Sequence, residues 1–209
     1  DDATFPDEAA LKANADLGRL TVSNAPGLRG DTDNDGDIDQ ILAYGARSFS
    51  ILDASGAIVF DSADIIERIV VSEFPALFND TRSDNKGPEP EGIEIATIGG
   101  STYAFVGLER SNITLAFDIT DPDAVSYAGA ARNAGDVSPE GLLFIAAEDS
   151  PTGTPLLVTS NEVSNTISVF SVTPTFRLQL LHFADGEAGL LAADTAPNLA
   201  ALVDAFDDD

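Results

Sequence analysis

The feature that most constrains the fold of this chain is an internal repeat with a period near 50 residues. Pro90-Glu91-Gly92 recurs as Pro139-Glu140-Gly141, and residues 107–112 are echoed by residues 160–165. Each copy runs through the Pro-Glu-Gly motif, a strand, a turn, a second strand, a Glu-x-Ser-Asn motif and a third strand. A repeat of this length with about four strands per copy is typical of β-propeller blades. A β-sandwich of unrelated strands is the competing interpretation.

Short apolar runs separated by Gly, Asp, Asn and Pro predict antiparallel strands along most of the chain. A more divergent third copy of the repeat is predicted around residues 44–53. Residues 6–17 predict a short helix, because Pro6 suits its first turn and Gly18 can end it. The predicted strands are residues 19–23, 40–44, 48–53, 57–62, 65–71, 92–98, 102–108, 113–119, 141–147, 155–160 and 166–172.

These patterns predict an all-β fold, a partial β-propeller of about three four-stranded blades, with a short N-terminal helix and a C-terminal strand-loop-helix. The propeller segment is predicted to span residues 1–173, and residues 174–209 to begin an α/β domain. Three blades do not close a ring, since propellers have about four to eight. Open sheet edges aggregate unless they are covered. Either the remainder of a larger polypeptide or other copies of the chain are expected to complete the propeller, and of the two we favour the larger polypeptide.

An acidic loop at residues 31–39 has the pattern Asp-x-Asp-x-Asp-Gly-x-x-Asp. So many carboxylates on one turn repel one another, and a hard divalent cation with oxygen ligands relieves that repulsion. Ca²⁺ fits best because it accepts many flexible oxygen ligands. The residue types at this spacing predict side-chain ligands from four aspartates and a main-chain carbonyl from the fifth. The predicted calcium residues are Asp31, Asp33, Asp35, Asp37 and Asp39.

The acidic loop is not a typical EF-hand. Its sixth residue, Gly36, fits the EF-hand pattern, but its twelfth is Leu42 where that pattern requires Glu. No flanking helices are predicted, and a strand is predicted to follow at once at residues 40–44. The loop is therefore interpreted as a calcium-binding hairpin loop of a propeller repeat.

Four glutamates occupy repeated positions: Glu91 corresponds to Glu140, and Glu109 to Glu162. Equivalent positions of stacked repeats lie on one face or around one channel. These carboxylates are candidates to hold a second divalent cation or a substrate. The alternative is that Pro-Glu-Gly is turn chemistry, with each glutamate bonding local backbone amides.

Composition limits the partners of the chain. With 36 acidic residues against 10 basic ones, the formal net charge is −26, which repels nucleic acid and anionic membrane surfaces. The sequence contains no cysteine, so disulfides, thiol catalysis and cysteine zinc sites are excluded. Because no apolar run is long enough to span a bilayer, no membrane insertion is expected. The chain lacks an initiator Met and a signal peptide, and it is expected to be a processed product or a segment of a larger protein.

Five motifs lie in order at residues 30–37, 45–51, 86–92, 103–110 and 117–122. Together they resemble the propeller region of choice-of-anchor I proteins, which are large secreted bacterial proteins often described as alkaline phosphatases. The end of the chain resembles the start of a nucleotidase-type metallophosphoesterase domain, whose first strand ends in Asp-x-His. Here the motif is Asp185-Gly186-Glu187, with Glu in place of the usual His.

The resemblance implies a secreted, periplasmic or extracellular phosphatase-like parent, with a second divalent metal in its catalytic domain. This chain would serve it as a calcium-binding scaffold or substrate-positioning module. Asp185 and Glu187 alone do not complete a dinuclear phosphoesterase site, so the chain by itself is expected to be inactive. One alternative is a non-catalytic assembly or adhesion module completed by other chains. Another is a propeller that is itself the hydrolase, with the repeated glutamates holding calcium ions near a phosphate.

Overall fold

The computed structural model describes residues 4–44 and 47–173. The regular secondary structure of these residues is mostly β-strand, with two short α-helices and three single-turn 3-10 helices. The strands are β1 (Ser50–Leu52), β2 (Ile58–Asp61), β3 (Pro90–Ile98), β4 (Ser101–Leu108), β5 (Ile113–Asp118), β6 (Ser126–Ala131), β7 (Pro139–Ile145), β8 (Leu156–Asn161) and β9 (Thr166–Ser171). The α-helices are α1 (Glu8–Leu11) and α2 (Ile65–Glu73), and the 3-10 turns are Pro75–Leu77, Asp80–Arg82 and Glu109–Ser111.

The strands form three antiparallel sheets, each built from consecutive strands. The hairpin is β1-β2, the middle sheet is β3-β4-β5-β6, and the third sheet is β7-β8-β9. Such meanders form where short turns join neighbouring strands, as at Gly99-Gly100, where both glycines have positive φ. The predicted antiparallel β architecture is therefore confirmed. The described strands form no closed barrel.

The repeat in the sequence is also a repeat in the backbone. Glu89 and Ser138, which precede the two Pro-Glu-Gly motifs, have φ of 52° and 61°. Their carbonyls accept equivalent hydrogen bonds, from the amide of Glu109 at 2.9 Å and from that of Glu162 at 2.8 Å. The next strand of each copy starts after a left-handed asparagine, either Asn112 (φ 52°) or Asn165 (φ 55°). Asparagine tolerates this conformation better than most residues, so both turns are encoded locally.

The middle sheet carries packed side chains on both faces, because successive residues of a strand point to opposite sides. Its face A carries Val106, Leu108, Leu115 and Phe117, which pack with Phe49 beside β1 and with Ile66, Ile69 and Val70 of α2. Its face B carries Ala96, Ile98 and Phe105, which pack with Leu157 of the third sheet. The three sheets therefore lie as a stack, in chain order, with the middle sheet covered from both sides.

The prediction of a strand at residues 65–71 was wrong, because this segment forms helix α2. Its β-branched composition favoured a strand. The buried positions are nevertheless Ile66, Ile69 and Val70, at a spacing of three and four residues that matches one face of a helix. Packing of this apolar face on the middle sheet outweighs the modest helix propensity of isoleucine and valine.

Other parts of the N-terminal segment are less regular than predicted. The helix predicted at residues 6–17 is the single turn α1, and the strands predicted at residues 19–23 and 40–44 reduce to one bridge between Val22 and Ala43. Strand β6 was not predicted. The strand-loop-helix predicted after residue 174 lies outside the described residues.

Candidate metal site and a buried ionic network

The acidic loop is closed by a tight backbone contact at its base. The Gly30 carbonyl accepts hydrogen bonds from the amides of Asp39 at 2.8 Å and Gln40 at 2.9 Å. Gly30 has φ of 77°, and a Cβ built on it would lie 1.9 Å from the carbonyl oxygen of Gln40. Only glycine fits this close approach, so the two ends of the loop are held together by a residue without a side chain.

Three of the five predicted calcium residues come together in this loop. Carboxylate oxygens of Asp31, Asp33 and Asp39 all lie within 4.8 Å of one another. The Oδ1 atom of Asp31 is buried and has no hydrogen-bond partner among the described residues. A buried carboxylate oxygen without a hydrogen-bond donor is unfavourable unless a positively charged group contacts it. A cation bound between the three carboxylates would satisfy this atom.

The side chains of Asp33 and Asp35 hydrogen-bond to the backbone of the loop. The side chain of Asp33 accepts a hydrogen bond from the amide of Asp35 at 3.2 Å, and that of Asp35 accepts one from the amide of Asp37 at 3.1 Å. These Asx-type turns curl the backbone around the carboxylates. Asp35 and Asp37 are not part of the group of three, and their predicted role as ligands stays a prediction.

Hydrogen bonds from Thr32 favour the ionised form of Asp39, one of the three carboxylates. The hydroxyl and the amide of Thr32 donate to Asp39 Oδ2 at 2.6 and 2.7 Å. They hold the pKa of the Asp39 carboxyl below its usual range. By contrast, partial desolvation and the nearby charge of Asp35 raise the pKa of Asp37. Of these two carboxyl groups, Asp39, which belongs to the group of three, therefore ionises at the lower pH.

A second group of carboxylates lies where β3 begins and β4 ends. Oxygens of Glu89, Glu91 and Glu109 all lie within 4.8 Å of one another, and the side chain of Glu89 is only 1% exposed. Of the four repeated glutamates named from the sequence, Glu91 and Glu109 belong to this group, whereas Glu140 and Glu162 are exposed at separate positions. Their predicted role as cation ligands stays a prediction.

Sequence analysis missed Glu89, the most buried member of this second group. It stands two positions before Glu91 in Pro88-Glu89-Pro90-Glu91, so the doubled Pro-Glu was its only local signal. The repeat gave no help, because Ser138 occupies the equivalent position in the other copy.

Three basic side chains surround these glutamates. Arg82 hydrogen-bonds to Glu89 Oε1, and Arg110 donates to Glu89 Oε2 at 3.1 Å. Arg110 also forms an ion pair with Glu109 at 2.6 Å. Lys86 Nζ lies 3.5 Å from Glu89 and 3.8 Å from Glu91. The group is therefore a buried ionic network of opposite charges, in which arginine and lysine already neutralise the carboxylates.

The two buried glutamates of this network titrate in opposite directions. Burial, followed by the hydrogen bond to Glu89, raises the pKa of Glu109 to about 7. Burial also acts on Glu89, but hydrogen bonds from Arg82 and Glu109 outweigh it and lower the pKa of Glu89. Two neighbouring carboxyl groups whose pKa values are shifted in opposite directions bind one proton between them. Here Glu109 is the group that binds it.

A further arginine fixes the loop that carries Lys86 and Glu89. Arg47 forms an ion pair with Glu67 of α2 at 2.6 Å and hydrogen-bonds to the carbonyls of Ser83 and Asn85. In a chain with only ten basic residues, four of them therefore converge on this loop and its neighbours. The loop is held against the middle sheet by charge as well as by its backbone turns.

The ionic network belongs to one copy of the repeat alone. In the other copy Arg110 is replaced by Val163, and the equivalent glutamate, Glu162, is exposed. The backbone turn nevertheless forms in both copies, with the same positive φ and the same hydrogen bond. The network is therefore not required for the turn.

The fold and the acidic loop together define a repeat-built protein of antiparallel sheets with a candidate cation-binding loop. Comparison with known proteins identifies the family: the choice-of-anchor I domain matches residues 1–122, which include the acidic loop, the hairpin and strands β3–β5. Gigasin-3a of Magallana gigas is 31% identical over 195 residues, a match that covers 78% of this chain and 67% of that protein. The chain therefore belongs to the choice-of-anchor I domain family. No solved structure matches it.

Family membership confirms the resemblance seen in the sequence, at the level of the domain. A choice-of-anchor domain is consistent with a surface-anchored or secreted protein. No helix in the described part of the chain is long and apolar enough to cross a bilayer. The comparisons do not support the alkaline phosphatase-like description or the nucleotidase-type end. The predicted phosphoesterase residues Asp185 and Glu187 lie outside the described residues.

Proposed function

We propose that this chain is a calcium-stabilised scaffold module, of β-propeller type, in a secreted or surface-anchored protein. The observation that carries the proposal is the meeting of Asp31, Asp33 and Asp39, whose carboxylate oxygens lie within 4.8 Å of one another. The buried and unpartnered Oδ1 of Asp31 supports it, because that oxygen is a ready ligand for a cation.

The donor set favours calcium over other metals. The loop offers oxygen atoms alone, and hard cations such as Ca²⁺ and Mg²⁺ bind oxygen ligands. Mg²⁺ requires a near-ideal octahedron, whereas Ca²⁺ accepts more ligands in a flexible arrangement, as an irregular loop provides. Zinc and copper favour the imidazole and thiolate ligands that this loop lacks.

The stacked sheets support the propeller part of the proposal. Two consecutive meanders with equivalent turns pack face to face, and the hairpin packs on the opposite side of the middle sheet. Propeller blades are antiparallel meanders of this kind, arranged in chain order around an axis. Calcium at the acidic loop would stiffen the irregular segment that precedes the first sheet. We propose no hydrolytic step, since no observation on the described residues favours one.

Thermal unfolding in calcium and in EDTA tests the calcium site. Calcium at a hundredfold its dissociation constant stabilises a folded state by about 2.7 kcal/mol. For a folded part of this size, that raises the melting temperature by about 5–10 °C. Replacing Asp33 and Asp35 by Ala should abolish this increase. Asp33→Asn, which keeps an acceptor for the amide of Asp35, should reduce it by removing one charge.

Asp53→Asn is the matched control, because Asp53 also accepts hydrogen bonds within a turn, from the amides of Ser55 and Ala57, but belongs to neither carboxylate group. This variant should respond to calcium like the unchanged chain. A melting temperature of the unchanged chain that is the same in calcium and in EDTA would refute the calcium site.

A further inference from the structure

The sequence contains two Asn-x-Thr motifs that the proposed function does not use. They are Asn79-Asp80-Thr81 and Asn112-Ile113-Thr114. Asn-x-Ser/Thr is the acceptor sequence for N-linked glycans, which are bulky and need a surface position in a secreted protein. Because the motif is short, sequence alone does not separate a used motif from an accidental one. The structure places the two motifs in different surroundings.

The first motif lies on an exposed turn. Asn79 precedes the 3-10 turn Asp80–Arg82, and all three residues of the motif are exposed. The preceding residues, Leu77 and Phe78, pack against the apolar cluster on face A of the middle sheet. Packed neighbours therefore hold the motif at the surface, where an attached glycan has to lie.

Hydrogen bonds within this turn prepare the asparagine side chain for reaction. The hydroxyl and the amide of Thr81 both donate to Asn79 Oδ1, at 2.6 and 3.1 Å. Asn79 Nδ2 donates no hydrogen bond within the described part of the chain. An amide nitrogen is a weak nucleophile, and when it loses a proton the negative charge develops on the amide oxygen. Donors already placed at that oxygen stabilise this charge.

The second motif lacks both properties. Asn112 has a left-handed φ of 52°, and its Oδ1 accepts a hydrogen bond from the amide of Ser138 at 2.9 Å. This bond joins the end of the middle sheet's turn to the start of the third sheet. Ile113 and Thr114 lie in β5 and are each 2% exposed. A glycan on Asn112 would have to fit where the two sheets meet, and the Thr114 hydroxyl is out of reach of a modifying enzyme.

We propose that Asn79 is the acceptor of an N-linked glycan and that Asn112 is not. The co-reactant is an oligosaccharide linked to a polyprenyl diphosphate. Asn79 Nδ2 attacks the anomeric carbon of its first sugar, so that a C–N bond forms and the C–O bond to the diphosphate breaks. The proton of Nδ2 passes to a base of the transferring enzyme, and polyprenyl diphosphate leaves. The step is a group transfer, and nothing in it is oxidised or reduced.

This inference rests on the secreted or surface location in the proposed function and is independent of the calcium site. Peptide mapping of the full-length protein, isolated from the secreted or surface fraction of its own source, tests it. Peptide N-glycosidase in heavy-oxygen water converts a glycosylated asparagine to labelled aspartate. Position 79 should therefore be recovered as labelled aspartate, and Asn112 as unlabelled asparagine.

Variants of the full-length chain, secreted from a host that performs N-glycosylation, separate the motif from the fold. Asn79→Gln and Thr81→Ala should each give the electrophoretic mobility of the enzymatically deglycosylated chain. Thr81→Ser should keep the glycan, because serine retains the hydroxyl that the motif requires. Thr114→Val is the matched control, since it removes the second motif but keeps the shape of a buried side chain, and it should leave the mobility unchanged. Circular dichroism checks that each variant is folded.

Two results would overturn the assignment. The first is an unmodified Asn79 in protein recovered from the secreted or surface fraction, which leaves the proposed function intact. The second is a glycan on Asn112, because the buried motif would then be the one in use. Recovery of the protein from the cytoplasm alone would overturn both the glycan site and the proposed location, whereas calcium-dependent melting reports on the calcium site by itself.

Discussion

Replacing Glu109 by Gln should remove a pH-dependent loss of stability from the fold. The side chain of Glu109 is 7% exposed and lies beside the ionised Glu89, and burial is the largest cause that raises its pKa from 4.5 to about 7. The folded state therefore holds the Glu109 proton more tightly than the unfolded state does. Glutamine keeps the size and hydrogen-bonding capacity of the protonated acid but has no proton to lose.

The magnitude follows from linkage between protonation and folding. Below pH 4.5 both states are protonated, and the contribution of Glu109 to stability is fully present. As the pH rises from 4.5 to about 7, the unfolded state loses its proton first, and folding is weakened by about 1.4 kcal/mol per pH unit. The total loss is about 3 kcal/mol and is complete above pH 7. The opposite contribution of Glu89, whose pKa is lowered, is gained mainly below pH 5 and changes little between pH 5 and pH 8.

Urea denaturation at pH 5 and pH 8 measures this difference. EDTA is present throughout, so that no cation occupies the glutamates. The free energy of unfolding of Glu109→Gln, relative to the unchanged chain, should be about 2.5 kcal/mol higher at pH 8 than at pH 5, because part of the loss has already occurred at pH 5. Glu162→Gln is the matched control, because Glu162 has the same backbone hydrogen bond in the other copy but an exposed side chain. Parallel pH profiles for the unchanged chain and Glu109→Gln would refute the reasoning.

Further predictions concern the acidic loop and the third sheet. Gly30→Ala should weaken calcium binding in titration calorimetry, because the new Cβ would lie 1.9 Å from the carbonyl oxygen of Gln40. Gly27→Ala is the control: Gly27 has a similar φ but no neighbour within 4 Å, so this variant should bind calcium like the unchanged chain. Ser168→Ala should lower the free energy of unfolding by about 1–3 kcal/mol in urea denaturation. The lost hydroxyl is buried and donates to the buried carboxylate of Asp136 at 2.6 Å; an unchanged value would mean that water replaces this donor.

The elements predicted well from the sequence are those specified by local signals. Strands β3–β5 and β7–β9 have short apolar runs between glycine, proline and asparagine turns, and the repeat reinforces each of them. Helix α2 was missed because its β-branched residues favour a strand until the middle sheet offers them a surface for a helical face. Strand β6 was missed because Ser126–Ala131 contains small residues and no apolar run. It is a strand because β5 pairs with it.

The two carboxylate groups also differ in how far local sequence predicts them. Asp31, Asp33 and Asp39 lie within nine residues, so the sequence alone indicated that they meet. The glutamate group depends on the approach of the start of β3 to the end of β4, which local sequence does not encode. Extending the pattern to Glu140 and Glu162 rested on the assumption that equivalent positions share side-chain partners. The repeat preserves the backbone turn at these positions but not the basic residues around it.

The cover on both faces of the middle sheet sets an order of unfolding. We expect the amide hydrogens of β4, which pairs with strands on both sides and is packed on both faces, to exchange only when the whole fold opens. The hairpin has two strands and an exposed end, and β9 has no strand beyond it in the described sheet, so we expect both to exchange through smaller openings. The middle sheet is therefore expected to be the last part to lose protection.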